Sequence, residues 1–240
     1  MIFDYFEFSN SGGRDYNEDC VGAKLCADGG IFLVADGLGG LSLGEVASRT
    51  VRNTLIDKFD ESITDMNAWI TDTLKEANDQ LLAIQAEKNK KMKSTVVMLT
   101  VKNGDMTFAH AGDSRLYYLH NNELTYFTED HSVAYKKYKA GEIKRTELGK
   151  DEDQSSLLRS IGGEDHNEPT IYNYPGKITP GDAFMLCSDG AWEYLKDAEV
   201  LIDRLKSRSA KEWTERLLLR IMDRVDGTND NLSVVTLIVE

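Results

Sequence analysis

Gly30-Ile31-Phe32-Leu33-Val34-Ala35-Asp36-Gly37 carries the reading of this chain. The apolar run reads as a buried strand, and it ends in a bare carboxylate. A buried charge is costly unless something pairs with it. The pattern returns where Ala183-Phe184-Met185-Leu186-Cys187-Ser188 runs into Asp189-Gly190. It returns again where Asp230-Asn231 opens Leu232-Ser233-Val234-Val235-Thr236-Leu237-Ile238-Val239. A fourth acidic turn, Asp113, lies in Ala111-Gly112-Asp113-Ser114-Arg115 between two strand-like runs. One shared partner explains four such turns more simply than four separate ones. Oxygen ligands with little histidine or thiolate favour a hard cation such as Mg²⁺ or Mn²⁺.

Each turn also has an ordinary reading. Most Asp-Gly dipeptides are only turns, and Gly-Asp-Ser makes a serviceable hairpin with no further role. Repetition at the ends of three apolar runs, after two and before the third, favours convergence at one end of a sheet. Carboxylates brought together there repel, so either a cation holds them or one takes up a proton. Aspartate can bridge two cations, and Gly37 lets the chain turn tightly and present a carbonyl. Gly39-Gly40 adds room for close backbone approach to a ligand.

Working outward, strand-like runs fall near 2–8, 20–27, 30–35, 94–102, 105–111, 115–120, 123–127, 170–174, 182–188 and 232–239. Asn103-Gly104 and Asn121-Asn122 have the chemistry of hairpin turns. Ala47, Val51, Leu55 and Phe59 repeat at helical spacing, as do Ile70, Leu74, Ala77, Leu81 and Ile84. Trp213, Leu217, Ile221 and Val225 mark a late helix with Ser209 as N-cap. Meandering strands with helices inserted in blocks favour an antiparallel, layered α+β domain over a doubly wound parallel sheet. The segment 132–156 is rich in Lys, Arg and acids; it reads either as a flap beside the site or as a solvated helix pair.

At 240 residues the chain suits one large domain or two small ones, and 41% hydrophobic content suits a globular core. A net charge of -13 argues against nucleic acid or an anionic membrane as partner. Cys20, Cys26 and Cys187 form no CxxC pair, so structural zinc is disfavoured; Cys20 and Cys187 read as small core residues. Asp4 and Glu7 argue against a signal peptide, and no apolar run is long enough to span a bilayer, so a cytoplasmic protein is expected. His110 reads as packed in a strand, His131 as a loop holder, and His120 and His166 as surface or turn residues. No HExxH, Walker A or GxSxG pattern is present. In Gly12-Gly13-Arg14-Asp15-Tyr16-Asn17-Glu18-Asp19, Arg14 has the fork that grips a phosphoryl group, and Glu18 and Asp19 are candidate cation ligands, directly or through water.

Taken in order, these segments resemble the metal-dependent protein phosphatases of the type 2C family. The resemblance rests on Arg14–Asp19, Val34-Ala35-Asp36-Gly37-Leu38-Gly39-Gly40, Ser94-Thr95-Val96-Val97 and Ala111-Gly112-Asp113-Ser114-Arg115. It continues through Thr128-Glu129-Asp130-His131-Ser132, Leu157-Leu158-Arg159-Ser160-Ile161-Gly162, Cys187-Ser188-Asp189-Gly190 and Asp230-Asn231-Leu232-Ser233. Each is weak alone; their order from about residue 9 onward is specific.

The resemblance implies a single catalytic domain over 1–240 with no regulatory appendage, built as a four-layer α-β-β-α sandwich of two antiparallel sheets flanked by helix pairs. It implies two Mn²⁺ or Mg²⁺ ions per chain, with a weaker third left open. Asp36 would bridge two ions, the Gly37 carbonyl would bind one, and Asp189 and Asp230 the other. Glu18 would support the centre through water, Asp113 would serve a third ion with Asp189, and Arg14 would bind the substrate phosphate. The segment 132–156 would be the flap. The implied activity is hydrolysis of phosphoserine and phosphothreonine in proteins by a metal-activated water, by a monomer opposing a serine/threonine kinase. The implied alternative is a pseudophosphatase that binds phosphoprotein without turnover. Leu38 stands where many eukaryotic members carry the histidine proposed as general acid; bacterial members usually have methionine or leucine there.

Overall fold

The computed structural model describes residues 2–39, 43–163, 165 and 168–240. Gly40 and His166, both read from sequence above, lie outside the described residues. Eleven strands form among those described: β1 Phe3–Asn10, β2 Asp19–Cys26, β3 Gly29–Leu38, β4 Lys93–Ser94, β5 Val96–Lys102, β6 Asp105–Ala111, β7 Arg115–His120, β8 Glu123–Phe127, β9 Thr170–Lys177, β10 Ala183–Cys187 and β11 Leu232–Val239. The helices are α1 Leu43–Lys58, α2 Met66–Lys88, α3 Val133–Ala140, α4 Asp189–Trp192, α5 Asp197–Leu205 and α6 Ala210–Met222, with a 3₁₀ turn at Arg145–Lys150.

The strands pair into two antiparallel sheets, ordered β1-β11-β10-β7-β8 and β2-β3-β5-β6-β9, with β4 paired to β3. Side chains alternate along each strand, so each sheet buries two faces. On β3, Phe32 and Val34 point between the sheets while Ile31, Leu33 and Ala35 meet α1 and α2. On β10, Phe184 and Leu186 point between the sheets while Met185 and Cys187 face the helices of the other side. Continuous apolar runs in the sequence are the consequence of that double burial. The expected α-β-β-α sandwich is the observed one. Between the sheets Tyr118 and Phe184 stack with centroids 4.7 Å apart.

Turn chemistry acts where it was read. Asn103 (φ 51°) and Gly104 (φ 80°) close one hairpin, and Asn121 (φ 51°) and Asn122 (φ 63°) the next, as type I′ turns demand. Ser209 caps α6 by accepting from the Glu212 N–H. No helix among the described residues is long and apolar enough to cross a membrane.

Two readings change. Gly112-Asp113-Ser114 is not a hairpin: it carries the chain from β6 in one sheet to β7 in the other. The segment 132–156 is not a solvated helix pair, because Ala134, Tyr135 and Leu148 are buried against the β1-β11-β10-β7-β8 sheet. Arg145 anchors that segment, pairing with Asp197 at 2.7 Å and lying 4.1 Å over the Phe127 ring. The helix α5 went unread in the sequence. His120, expected at the surface, is half-buried against the Asp182 carboxylate at 2.6 Å. Cys187 is buried as expected, whereas Cys20 is only half-buried.

Phe184→Ala should cost about 3–5 kcal/mol, the range for removing a large buried aromatic. Urea unfolding of the two proteins should read the difference; a loss below ~1 kcal/mol would mean the inter-sheet layer re-closes.

Candidate metal and phosphate site

Alternation along β3 continues past Val34, so Asp36 lies on the face that looks between the sheets. There the apolar layer gives way to a basin of about 430 Å³. Arg14, Glu18, Asp36, Gly37, Asp113, Asp189 and Asp230 all line it. These seven residues, each given a role by the family resemblance, therefore arrive at one place, from the loop after β1, the residue before β2, the end of β3, the β6–β7 crossover, the start of α4 and the turn before β11; Asp19 does not line it.

Glycine makes the approach possible. A Cβ on Gly37 would stand 2.0 Å from the Gly44 carbonyl oxygen and 2.6 Å from that of Glu18. A Cβ on Gly44 would meet the Gly37 oxygen at 2.5 Å. Two facing glycines thus seat the first turn of α1 against the end of β3. The Gly44 N–H donates to Glu18 Oε1 at 3.0 Å, and the Gly37 N–H to the Glu18 carbonyl at 3.1 Å. Glu18 is therefore tied to α1, in reach of the basin.

Asn231 pins the N-terminal loop. Its Oδ1 accepts from the Glu18 N–H at 2.7 Å, and its Nδ2 donates to the carbonyls of Ser11 and Tyr16. Asp36 is held through its backbone, whose N–H donates to Thr95 Oγ1 at 3.0 Å. Thr95 in turn bonds Ser114 at 2.7 Å, coupling β3 to the crossover that carries Asp113. Trp192 Nε1 donates to the Asp113 carbonyl at 2.9 Å, and the Arg115 guanidinium lies 3.4 Å over the Trp192 ring. Arg115 is buried and forks onto Asp130 at 2.8 and 2.6 Å. Asn231, Thr95, Ser114, Arg115 and Asp130 fall within the family motifs and Trp192 outside them; the support role of each depends on contacts across the fold.

Asp19 was read as a candidate cation ligand. It is buried, accepts from Ser188 Oγ at 2.7 Å, and leaves its Oδ1 with no partner. Burial and then the nearby Asp189 and Asp230 charges raise its carboxyl to about 7. Burial and Asp230 raise Asp189 to about 6. Asp36 and Asp113 are pushed well above the usual range, first by burial and then by neighbouring aspartates. Arg14 bonds Asp230 at 2.9 Å and supplies part of the missing positive charge. Glu193, unread in the sequence, follows Asp189 by one helical turn and is raised to about 8 by burial, then by Asp189 and Asp230.

These observations fit a divalent cation: an all-oxygen donor set, an orphaned buried carboxylate oxygen, and repulsion relieved only by protons and one arginine. As placed, no group of three His, Cys, Asp or Glu side chains among the described residues is closed for a metal. His110 and His131 stay outside the basin. They stack at 4.4 Å, and His131 receives the Gly112 N–H on Nδ1, the loop-holding role expected of it.

The sequence profile described as protein phosphatase 2C matches residues 12–225. The serine/threonine phosphatase stp of Listeria welshimeri is 32% identical over 240 residues, covering 95% of this chain and 93% of that protein. The serine/threonine protein phosphatase PstP of Mycobacterium tuberculosis is 31% identical over 228 residues, 92% of this chain and 42% of that longer protein. The crystal structure of the Mycobacterium tuberculosis phosphatase superposes with a TM-score of 0.87 at 29% identity, covering both chains fully. The PstP catalytic domain in complex with two manganese ions gives 0.84 at 28% identity over 99% of each chain.

In metal-free protein, Asp19 holds its proton to about pH 7 when folded and only to the usual carboxylate range when unfolded. The folded state then binds more protons between those limits, so this residue's contribution to stability falls as pH rises through about 7. His131, lowered to about 3 by burial, has the opposite slope below its unfolded value. Comparing Asp19→Asn with wild type isolates the first effect. In chelator, the variant's Tm should gain on wild type between pH 5 and pH 8; a constant difference would refute the assignment. Gly37→Ala, which drives a Cβ into two backbone oxygens, should abolish the Tm gain on adding Mn²⁺.

Proposed function

Because the chain belongs to the protein phosphatase 2C family, we propose that this basin holds two Mn²⁺ or Mg²⁺ ions and hydrolyses phosphoserine and phosphothreonine in proteins. Serine/threonine phosphatase activity of the 2C type is the activity of its named relatives. The observation that carries the finer reading is the convergence of Asp36, Asp189, Asp230, Glu18 and Arg14 on one basin.

Asp36 would serve both ions through its carboxylate, and the Gly37 carbonyl, with no side chain in its way, would be a ligand to one. Asp189 and Asp230 hold the other. Glu18, just before β2 and tied to the first turn of α1 through the Gly44 N–H, would support the centre. Asp113 and Asp189 are the ligands for a weaker third ion. Bound metals supply an acidified water and neutralise the phosphoryl oxygens. Arg14 sits on the rim, half exposed, paired to Asp230. Were Asp230 to serve a metal, the Arg14 guanidinium would be free to fork onto the phosphate oxygens and orient the ester. No serine or cysteine nucleophile is used. Leu38 is exposed and lines the basin. It offers no proton to the departing serine or threonine oxygen.

The same reading makes residues 1–240 one catalytic domain, acting as a cytoplasmic monomer against a serine/threonine kinase. The segment 132–156 serves as a flap, since Ser155 lines the basin. The intact acidic set gives a non-catalytic phosphoprotein binder no specific support.

Purified protein should cleave a small aryl phosphate with Mn²⁺ and stop on chelation; turnover surviving full metal removal would sink the mechanism. Asp189→Ala should lower kcat by about 10²-fold or more, the scale for removing a group that stabilises developing charge, while Tm in chelator is kept or raised. Arg14→Ala should raise KM for the aryl phosphate about tenfold, as loss of a bidentate phosphate contact predicts. An unchanged KM would remove Arg14 from the substrate site.

A further inference from the structure

A second cavity, of about 890 Å³, lies outside the basin, walled by β8, β9 and α3. β8 ends one sheet and β9 ends the other. Their outer edges carry backbone donors and acceptors that no neighbouring strand takes up. Tyr126 of β8 and Tyr172 of β9 stack at 4.8 Å with rings 5° apart, tying the two edges together. The back wall is preformed: His131 Nε2 bonds Thr170 Oγ1 at 2.9 Å, and the His131 N–H donates to the Gly112 carbonyl at 2.9 Å.

The charges around this cavity do not cancel. Asp130 is neutralised by Arg115, and Glu129 by Lys139 at 2.7 Å. Lys136 and Arg159 also line it, and neither has an ion pair among the described residues. Two uncompensated cations on an aromatic cavity reverse the local sign in a chain of net charge -13. Its position is equally pointed. Ser155 and Leu157 face the metal basin while Leu158 and Arg159 face the second cavity. Residues 155–159 are a ridge between the two, fixed by the Leu158 N–H to the His131 carbonyl at 2.7 Å.

We propose that the cavity between β8, β9 and α3 docks an extended acidic segment of the phosphoprotein substrate, running from the phosphorylated residue across the 155–159 ridge. This rests on the phosphatase reading above. An extended peptide suits edge strands because its own backbone completes their hydrogen bonds. Lys136 and Arg159 select acidic side chains, and Tyr126 and Tyr172 cover the peptide's aliphatic parts. Substrate preference is then set outside the metal basin.

The test compares wild type, Lys136→Glu and Tyr126→Ala. Both substituted residues lie away from the metal and phosphate groups, and Lys136 is exposed on α3. With an aryl phosphate, all three should turn over alike. With a phosphoserine peptide flanked by Asp and Glu, KM should rise about fivefold in Lys136→Glu, the scale for reversing one exposed charge contact. A lysine-flanked peptide should show no such rise. Fluorescence anisotropy of a labelled, non-phosphorylated Asp/Glu hexapeptide should show the same weakening without any turnover. Wild type binding acidic and lysine-flanked peptides equally would overturn the proposal, as would displacement of the hexapeptide by inorganic phosphate at equal concentration. Failure of the phosphatase reading looks different: no aryl phosphate turnover with any metal, whatever the hexapeptide does.

Discussion

Repulsion among carboxylates held at the mouth of the sandwich is the constraint on which the rest depends. Asp19, Asp36, Asp113 and Asp189 all have raised proton affinity because burial and neighbouring aspartates act together. A fold that gathers such groups calls for positive charge, and the Arg14 contact to Asp230 supplies part of it. The apolar layers supply the stability that makes this tolerable. Three clusters, one between the sheets and one under each helical layer, hold the strands whose ends carry the acids.

The architecture then explains which residues surround the acids. Two sheets meeting face to face leave a cleft where their apolar layer stops, and chain segments from both sheets end there. Small side chains and amides do the joining: Gly37 against Gly44, Asn231 across the N-terminal loop, Thr95 to Ser114. On the flank, the buried Arg115–Asp130 pair and the Trp192 ring brace the Asp113 crossover. That brace also forms part of the wall behind the second cavity, through Asp130 and its neighbour His131. Positioning of Asp113 and of the proposed docking surface therefore shares one set of contacts.

Much of the fold was legible because strong local signals agreed. Apolar runs named the strands, Asn-Gly and Asn-Asn turns named two hairpins, and helical spacing found α1, α2 and α6. The helix α5 escaped because its buried face is narrow: Val200 and Asp203 are its buried residues. The Asp113 turn was open between a hairpin and a ligand loop, since Gly-Asp-Ser serves either geometry. Segment 132–156 was open between flap and solvated helices, because charge-rich composition hides three buried anchors, Ala134, Tyr135 and Leu148.

The site divides in the same way. By itself the sequence determined the acidic set, its order and its neighbours, because Asp at the end of an apolar run is a local anomaly visible without coordinates. It also determined the absence of histidine beside Asp36, where Leu38 stands. Only the tertiary structure decided that acids from segments as far apart as Glu18 and Asp230 share one basin, and that the buried aspartates beside it raise one another's proton affinity. It alone assigned Glu193, Asn231 and Arg115 their places and opened a second cavity between two sheet edges. The physical reason is range: apolar patterning and turn chemistry act over a few residues, whereas charge coupling and cavity shape depend on distances that only folding sets.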